Sequence, residues 1–427
     1  MSAVPARARR LPLVLRNRSF GKVWAGQLLT QAAIRMFQVG AVWWIVSLAG
    51  GAHRGLASGV FLMVSTVPAV AFAPVVARVV ARHDHRTVLA VAAAVAGAVA
   101  VTAAALAALG ALPVAAAYLV ALVLAGCQAV FDPCLTTSVP ELVEDCDIES
   151  ATGCELATQS VAGLVGGLLG PLVVEAGRLA ELTAASGLAY LLAAGLIVSA
   201  RFARTGVIRQ VPDGSVPGRR TLRQVLAGRP FVRRVLVCFA AANFFTTAIY
   251  VVMPLYTRTE LHAAGSTVAL LEAALGAGAL VGSFTGGRLP GPPVAVASVC
   301  LAVVAAALAL PGVFAWHATA FVTMTVVGWC VGVIGVRFIA LFQRLLPAGD
   351  KPGFFAVMQA MLGATFPVSS LVFGALGDHL TARTLCLIQG AGVVPVAAAL
   401  WWLGGRHEAV EQPTPTAPTS VPAKEPS

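Results

Sequence analysis

The sequence predicts an all-α membrane protein of about twelve transmembrane helices, arranged as two six-helix bundles. Three observations predict it. Of 427 residues, 58% are hydrophobic and only 11% are charged, against about 25% charged in a soluble domain. The mean hydropathy is +0.86, so lipid must solvate most of the chain. Apolar stretches of roughly 20 residues, enough to cross a ~30 Å hydrocarbon core, recur from residue 23 to residue 404. Finally, Lys and Arg gather in alternate connections, as cytoplasmic loops require.

Taken in order, the predicted spans lie near 23–48, 58–80, 87–110, 112–132, 152–176 and 179–200, then 232–255, 265–287, 292–312, 316–341, 353–376 and 383–404. Only Gly110 and Pro113 divide the third from the fourth. Residues 1–22 form a basic tail with Arg7, Arg9, Arg10, Arg16, Arg18 and Lys22. It has no small-residue cleavage site, so the first span is expected to be retained. The second connection carries Arg82 and Arg86. The sixth, 201–231, carries Arg201, Arg204, Arg209, Arg219, Arg220, Arg223 and Arg229. Odd-numbered connections hold isolated charges. Both termini are therefore expected in the cytoplasm.

The 201–231 linker divides a six-span unit, 23–200, from a second, 232–404, and residues 405–427 form a Pro/Thr-rich tail expected to be disordered. Two halves around a shared pathway is the arrangement this division suggests.

The net charge of +11 is thus topology, and nucleic acid is not an expected partner. Eight scattered cysteines show no CxxC pair and no metal spacing with histidine, so no metal or cofactor is expected. No Walker sequence is present, which argues against direct ATP drive. No catalytic constellation lies at a suitable depth, so the chain does not read as an enzyme.

Charges inside the spans carry more information, because each costs roughly 2.5–3.5 kcal/mol on insertion scales. In the first span Gln27, Gln31, Arg35 and Gln38 are spaced four, four and three apart and share one helical face. Arg35 lies ~20 Å into the span, near the midplane. The alternatives are a substrate-facing wall and a structural ion pair. Glu272 lies within the eighth span. Glu155, with Gln159, sits at the start of the fifth and reads as a second proton carrier or a surface carboxylate. Asn243 and Tyr250 in the seventh offer hydrogen bonds to cargo. Asp132, beside Pro133 at the foot of the fourth, reads as a gate or cap residue. Arg337 lines an inner vestibule or snorkels. Glu175 and Arg178 read as a local surface pair, and Trp43 and Trp44 as interfacial belt residues. Gly163, Gly166, Gly167 and Gly170 allow close packing in the fifth span, and Pro171 kinks it.

Several stretches resemble the major facilitator superfamily and, more narrowly, its bacterial drug and secondary-metabolite exporters. LRNRSFGKVWAGQLLTQ (15–31) resembles the lead-in to the first span, and FDPCLTTSVPELV (131–143) the exit from the fourth. GLVGGLLGP (163–171) is similar to the Gly/Pro motif of antiporters, and ALFQRLLP (340–347) to the end of the tenth span. The resemblance implies that spans one and eight border a central cavity. Arg35 and Glu272 would then face each other from opposite halves, with Glu272 exchanging a proton. Gly170 and Pro171 would let one half rock on the other.

The chain departs from the pattern at ARVVARHDHR (77–86), where Ala77 and Ala81 replace an expected glycine and a latch aspartate. Arg82, Asp84 and Arg86 remain as candidate gating residues. Relatives also often carry an acid where Ile34 stands, which points to cargo with an anionic or strongly accepting group.

The reading is a proton-coupled exporter of a hydrophobic or amphiphilic small molecule, working by alternating access and expected to be monomeric. Its partners are the cargo, protons and the bilayer. Two rivals stay open: an uptake permease for a small anionic solute held by Arg35, and a non-transporting membrane sensor or scaffold.

Overall fold

A computed structural model describes residues 13–48, 53–111, 113–144, 147–176, 179–202, 230–345 and 351–411. The tail 1–12, most of the 201–231 linker, Arg178 and residues 412–427 lie outside the described residues. So do some side chains within helices, including Ala77, Ala81, Glu155 and Gln159.

With no water in the bilayer core, every backbone N–H and C=O must be satisfied within its own segment, so apolar runs become helices. Among the described residues there are fifteen and no strand. They are α1 Leu13–Arg16, α2 Arg18–Leu48, α3 Arg54–Ala71, α4 Ala73–Arg82, α5 His85–Ala108, α6 Val114–Leu142, α7 Ile148–Ala176 and α8 Leu179–Ser199. Beyond the linker come α9 Pro230–Thr247, α10 Ile249–Thr259, α11 Gly265–Gly286, α12 Pro293–Val313, α13 His317–Leu345, α14 Lys351–Gly377 and α15 Ala382–Glu411.

Among the described residues eight stretches are long and apolar enough to cross a membrane: within α5, α6, α8, α11, α12, α13 and α15, and through α9 and α10 together. Shorter apolar stretches lie in α3, α7 and α14. Helix α2, 31 residues long, is not among the eight; the polar stripe dilutes its apolarity.

The second and seventh predicted spans are each two helices. The first pair breaks at Phe72 (φ −92°, ψ −1°), just ahead of Pro74. The second breaks at Ala248 (φ −58°, ψ −17°). The fourth span differs most from expectation, continuing through Pro133 to Leu142. Proline removes one intrahelical bond and crowds the preceding turn. Here the hydroxyls of Thr136 and Thr137 donate to the carbonyls of Asp132 and Pro133. Asp132 is therefore inside a helix rather than at its foot.

One hydrophobic cluster draws its buried residues only from Val232 to Leu400. Two others draw on Leu13 to Ala200, joined among the described residues by Val251 and Leu255 from α10. Leu188, Leu191 and Val198 on α8 and Val91 and Val95 on α5 stay exposed, as a lipid-facing surface requires. The linker face is the one at which α8 ends and α9 begins. There Asn17 donates to the Leu142 carbonyl at 2.7 Å, Lys22 to the Ser199 carbonyl at 3.0 Å, and Arg16 pairs with Asp147. At the opposite, far face, α3 packs on α14 and α7 on α11, joining the two halves.

Candidate functional site

The polar stripe of α2 divides between two environments. Gln27 and Gln31 are buried, 2% and 8% exposed, whereas Arg35 is exposed and Gln38 half-buried. Gln31 turns into its own half, where its Nε2 donates to Asp132 Oδ1 at 3.2 Å. Gln128, one turn before Asp132 on α6, donates to the same oxygen at 2.6 Å. Asp132 thus belongs to an intramembrane amide–carboxylate cluster. Its pairing with Gln128 was legible as an i,i+4 spacing, while the partner from α2 was not. Gln27 Nε2 and Trp24 Nε1 line a small cavity with Phe20, Val23 and Leu135, and neither has a hydrogen-bond partner among the described residues.

Arg35 stands out against its neighbours, since Ala33, Ile34, Met36 and Phe37 are all buried. Two consecutive glycines of α7 explain how it meets the other half. A Cβ on Gly166 would meet the Met36 amide nitrogen at 2.8 Å, the Ala32 carbonyl oxygen at 3.0 Å and Arg35 Cβ. A Cβ on Gly167 would meet Glu272 Cβ at 3.1 Å and Oε2 at 3.7 Å. Helix α7 therefore passes between α2 and α11 at its thinnest point, with one charged residue against each glycine.

Helix α10, which carries Tyr250, touches both α2 and α11, and Tyr250 packs on Phe366 with ring centroids 5.6 Å apart. No hydrogen bond or ion pair ties Arg35 to Glu272 among the described residues. The guanidinium can therefore accept an anionic or hydrogen-bond-accepting group, and the carboxyl a proton, beside an aromatic shelf.

Other predicted residues fall elsewhere. Asn243 Nδ2 donates to Thr365 Oγ1 at 2.5 Å and to the Leu362 carbonyl at 3.2 Å, committing that amide to its own half. Asp84 caps its own helix α5, accepting from Thr87 N at 3.1 Å and Thr87 Oγ1 at 2.9 Å. Arg86 donates to the Val198 carbonyl at the end of α8, and Arg82 is exposed. Gly170 sits against the Met36 carbonyl oxygen (2.5 Å from a Cβ built there) and Gly40 N (2.9 Å). The Pro171 carbonyl lies against Gly265 at 3.0 Å, measured in the same way. The Glu155 side chain lies outside the described residues.

Two readings change, and a third residue gains a partner. Glu175, at the exposed end of α7, accepts at Oε2 from Ser266 N at 2.6 Å, across the halves, while Arg178 lies outside the described residues. Arg337 closes the end of α11, donating to the carbonyls of Gly286 (2.7 Å), Leu289 and Gly291. Trp43 is 5% exposed, and a Cβ on Gly265 would lie 2.6 Å from its Nε1, so it packs between α2 and α11 rather than in an interfacial belt. Among the described residues, no three His, Cys, Asp or Glu side chains are grouped to hold a metal ion.

Residues 23–324 match the family described as the Major Facilitator Superfamily. No curated protein matches the chain. Several solved structures share its fold. An auto-inhibited POT family peptide transporter is 13% identical with a TM-score of 0.70, over 94% of this chain and 99% of that one. A bacterial homolog of the human lysosomal transporter Spinster, inward-facing and occupied, is 13% identical with a TM-score of 0.69, over 97% and 100%. A D-xylose–proton symporter is 13% identical with a TM-score of 0.66, over 90% and 96%. At these identities the likeness is one of fold alone.

Proposed function

The chain belongs to the major facilitator superfamily, and from that premise we propose that it exports a hydrophobic or amphiphilic small molecule in exchange for protons, by alternating access. It is a multi-pass membrane transporter and not an enzyme. The linker face is taken as cytoplasmic, because the arginine-rich tail and linker emerge there, and the membrane as a bacterial inner membrane.

The observation that carries the reading is the placement of Arg35 and Glu272 on opposite halves, each against its own glycine of α7. Cargo with an accepting or anionic group binds Arg35 and weakens the attraction of the guanidinium for the Glu272 carboxylate. Protonation of Glu272 has the same effect from the other side. Cargo and proton therefore both act against one electrostatic attraction, which relative movement of the halves strengthens or relieves. Tyr250 and Phe366 supply the apolar, aromatic surface that an amphiphile needs. The Gly/Pro motif at 163–171 supports export over uptake.

The test uses accumulation of one anionic and one cationic amphiphilic dye in an efflux-deficient host, with and without an uncoupler. The chain is expected to lower accumulation of the anionic dye, and an uncoupler is expected to restore it. Glu272→Gln should abolish pH-gradient-driven transport in vesicles while leaving cargo binding measurable. Intact gradient-driven transport in that variant would sink the coupling role. Raised anionic-dye accumulation would instead favour uptake of an anionic solute, a reading supported by the exposed Arg35.

A further inference from the structure

At the far face two contacts of one chemical kind join the halves. Asp378, just beyond the end of α14, accepts from the backbone N–H of Gly55 at 2.7 Å and of Leu56 at 3.2 Å, in the first turn of α3. Glu175, in the last turn of α7, accepts from Ser266 N at 2.6 Å, in the first turn of α11. The two contacts occupy equivalent places in the six-span repeat: in each, the fifth span of one half supplies a carboxylate to the second span of the other.

First-turn N–H groups have no intrahelical partner, and a helix N-terminus carries partial positive charge. Neither receiving helix serves itself, since the N-cap residues His53 and Ala264 make no side-chain capping bond. Each half therefore caps a helix of the other. The Asp378 side chain is 5% exposed, with His53 Nδ1 3.5 Å from its second oxygen.

The surrounding contact is backbone on backbone. A Cβ on Gly55 would meet the Gly377 carbonyl carbon at 2.9 Å, and a Cβ on Gly59 would meet Gly374 Cα at 3.0 Å. Such a seam separates without unthreading side chains. On the linker face the sequence lacks the carboxylate that the family pattern carries there. Ala81 stands at the position where the family pattern has an aspartate, and Asp84 caps a helix of its own half.

We infer that Asp378 and Glu175 form a paired latch that holds the far face shut, each carboxylate serving as the N-cap of a helix in the opposite half. The latch rests on the alternating-access reading. Loss of either carboxylate shifts the population toward the state open at the far face, by about fivefold in the closed-to-open ratio, the usual consequence of losing one N-cap side chain. Loss of both shifts it by about 25-fold, the two sites being independent.

The experiment is electron–electron distance measurement on the full chain in lipid nanodiscs, in a cysteine-free background. One spin-label pair, at Leu109 and Trp316, spans the far face; both positions are exposed. A second pair, at His83 and Arg288, spans the linker face, again at exposed positions. Asp378→Ala and Glu175→Ala should lengthen the far-face distance and shorten the linker-face one, and the double variant should do so more.

Asp378→Asn should behave as wild type, because asparagine caps as well as aspartate; opening in that variant would assign the effect to the His53 ion pair and overturn the capping role. Gly59→Trp, a wedge in the α3–α14 seam, is the control. If it opens the far face while the alanine variants do not, the latch is wrong. If even the wedge leaves both distances unchanged in folded protein, the alternating-access reading fails instead.

Discussion

Alanine at Gly166 and at Gly163 gives two substitutions in the same turn-and-a-bit of α7 with opposite predicted outcomes. At Gly166 the added methyl would lie 2.8 Å from the Met36 amide nitrogen and 3.0 Å from the Ala32 carbonyl oxygen, and closer still to Arg35 Cβ. Two of these three atoms are backbone and cannot rotate away, so α2 must move as a unit. Overpacking of this kind typically costs about 1–3 kcal/mol. For a unit the size of one half, each kcal/mol lowers the melting temperature by about 2–4 °C. At Gly163 a Cβ meets nothing within 4 Å, so alanine is neutral or slightly stabilising through helix propensity.

The check is thermal unfolding of both variants in detergent, followed by dye efflux. Gly166→Ala should melt several degrees lower and lose efflux, because displacing α2 carries Arg35 away from Glu272. Gly163→Ala should match wild type in both. Equal stability of the two variants would refute the close α2–α7–α11 junction on which the site depends.

Asp84→Ala should cost about 1 kcal/mol through loss of the α5 N-cap, seen in thermal unfolding, while efflux per folded molecule stays unchanged. Lost efflux at unchanged stability would instead support a gating role for that carboxylate. Arg337→Met removes donors from the Gly286, Leu289 and Gly291 carbonyls and should destabilise by about 1.5–3 kcal/mol, the scale of hydrogen bonds to a charged group. Asp132→Leu leaves the amides of Gln31 and Gln128 without their shared acceptor and should cost about 1–3 kcal/mol. Adding Gln31→Leu and Gln128→Leu should recover part of that loss, and a triple variant no more stable than the single would show that the cluster is not a unit.

Much of this was legible in the residues themselves. Lipid forces apolar runs into helices, so the spans and the linker between two sets of six followed from composition. Helical periodicity alone put Gln27, Gln31, Arg35 and Gln38 on one face. The same periodicity could not say what occupies that face. Tertiary packing turned Gln27 and Gln31 into their own half and left Arg35 exposed against Gly166 of α7, next to the glycine that meets Glu272. It also took Asp378 and Glu175, indistinguishable in sequence from surface carboxylates, and set each on the opposite half's helix.

The α7 glycines show the same division, because a repeated small residue signals close approach but not to what. Gly163 faces open space while Gly166 bears on the α2 backbone. Spacing along a helix is a local property fixed by 3.6 residues per turn. The neighbour across a helix interface is fixed only when elements more than a hundred residues apart settle against one another, and that is what tertiary structure decided here.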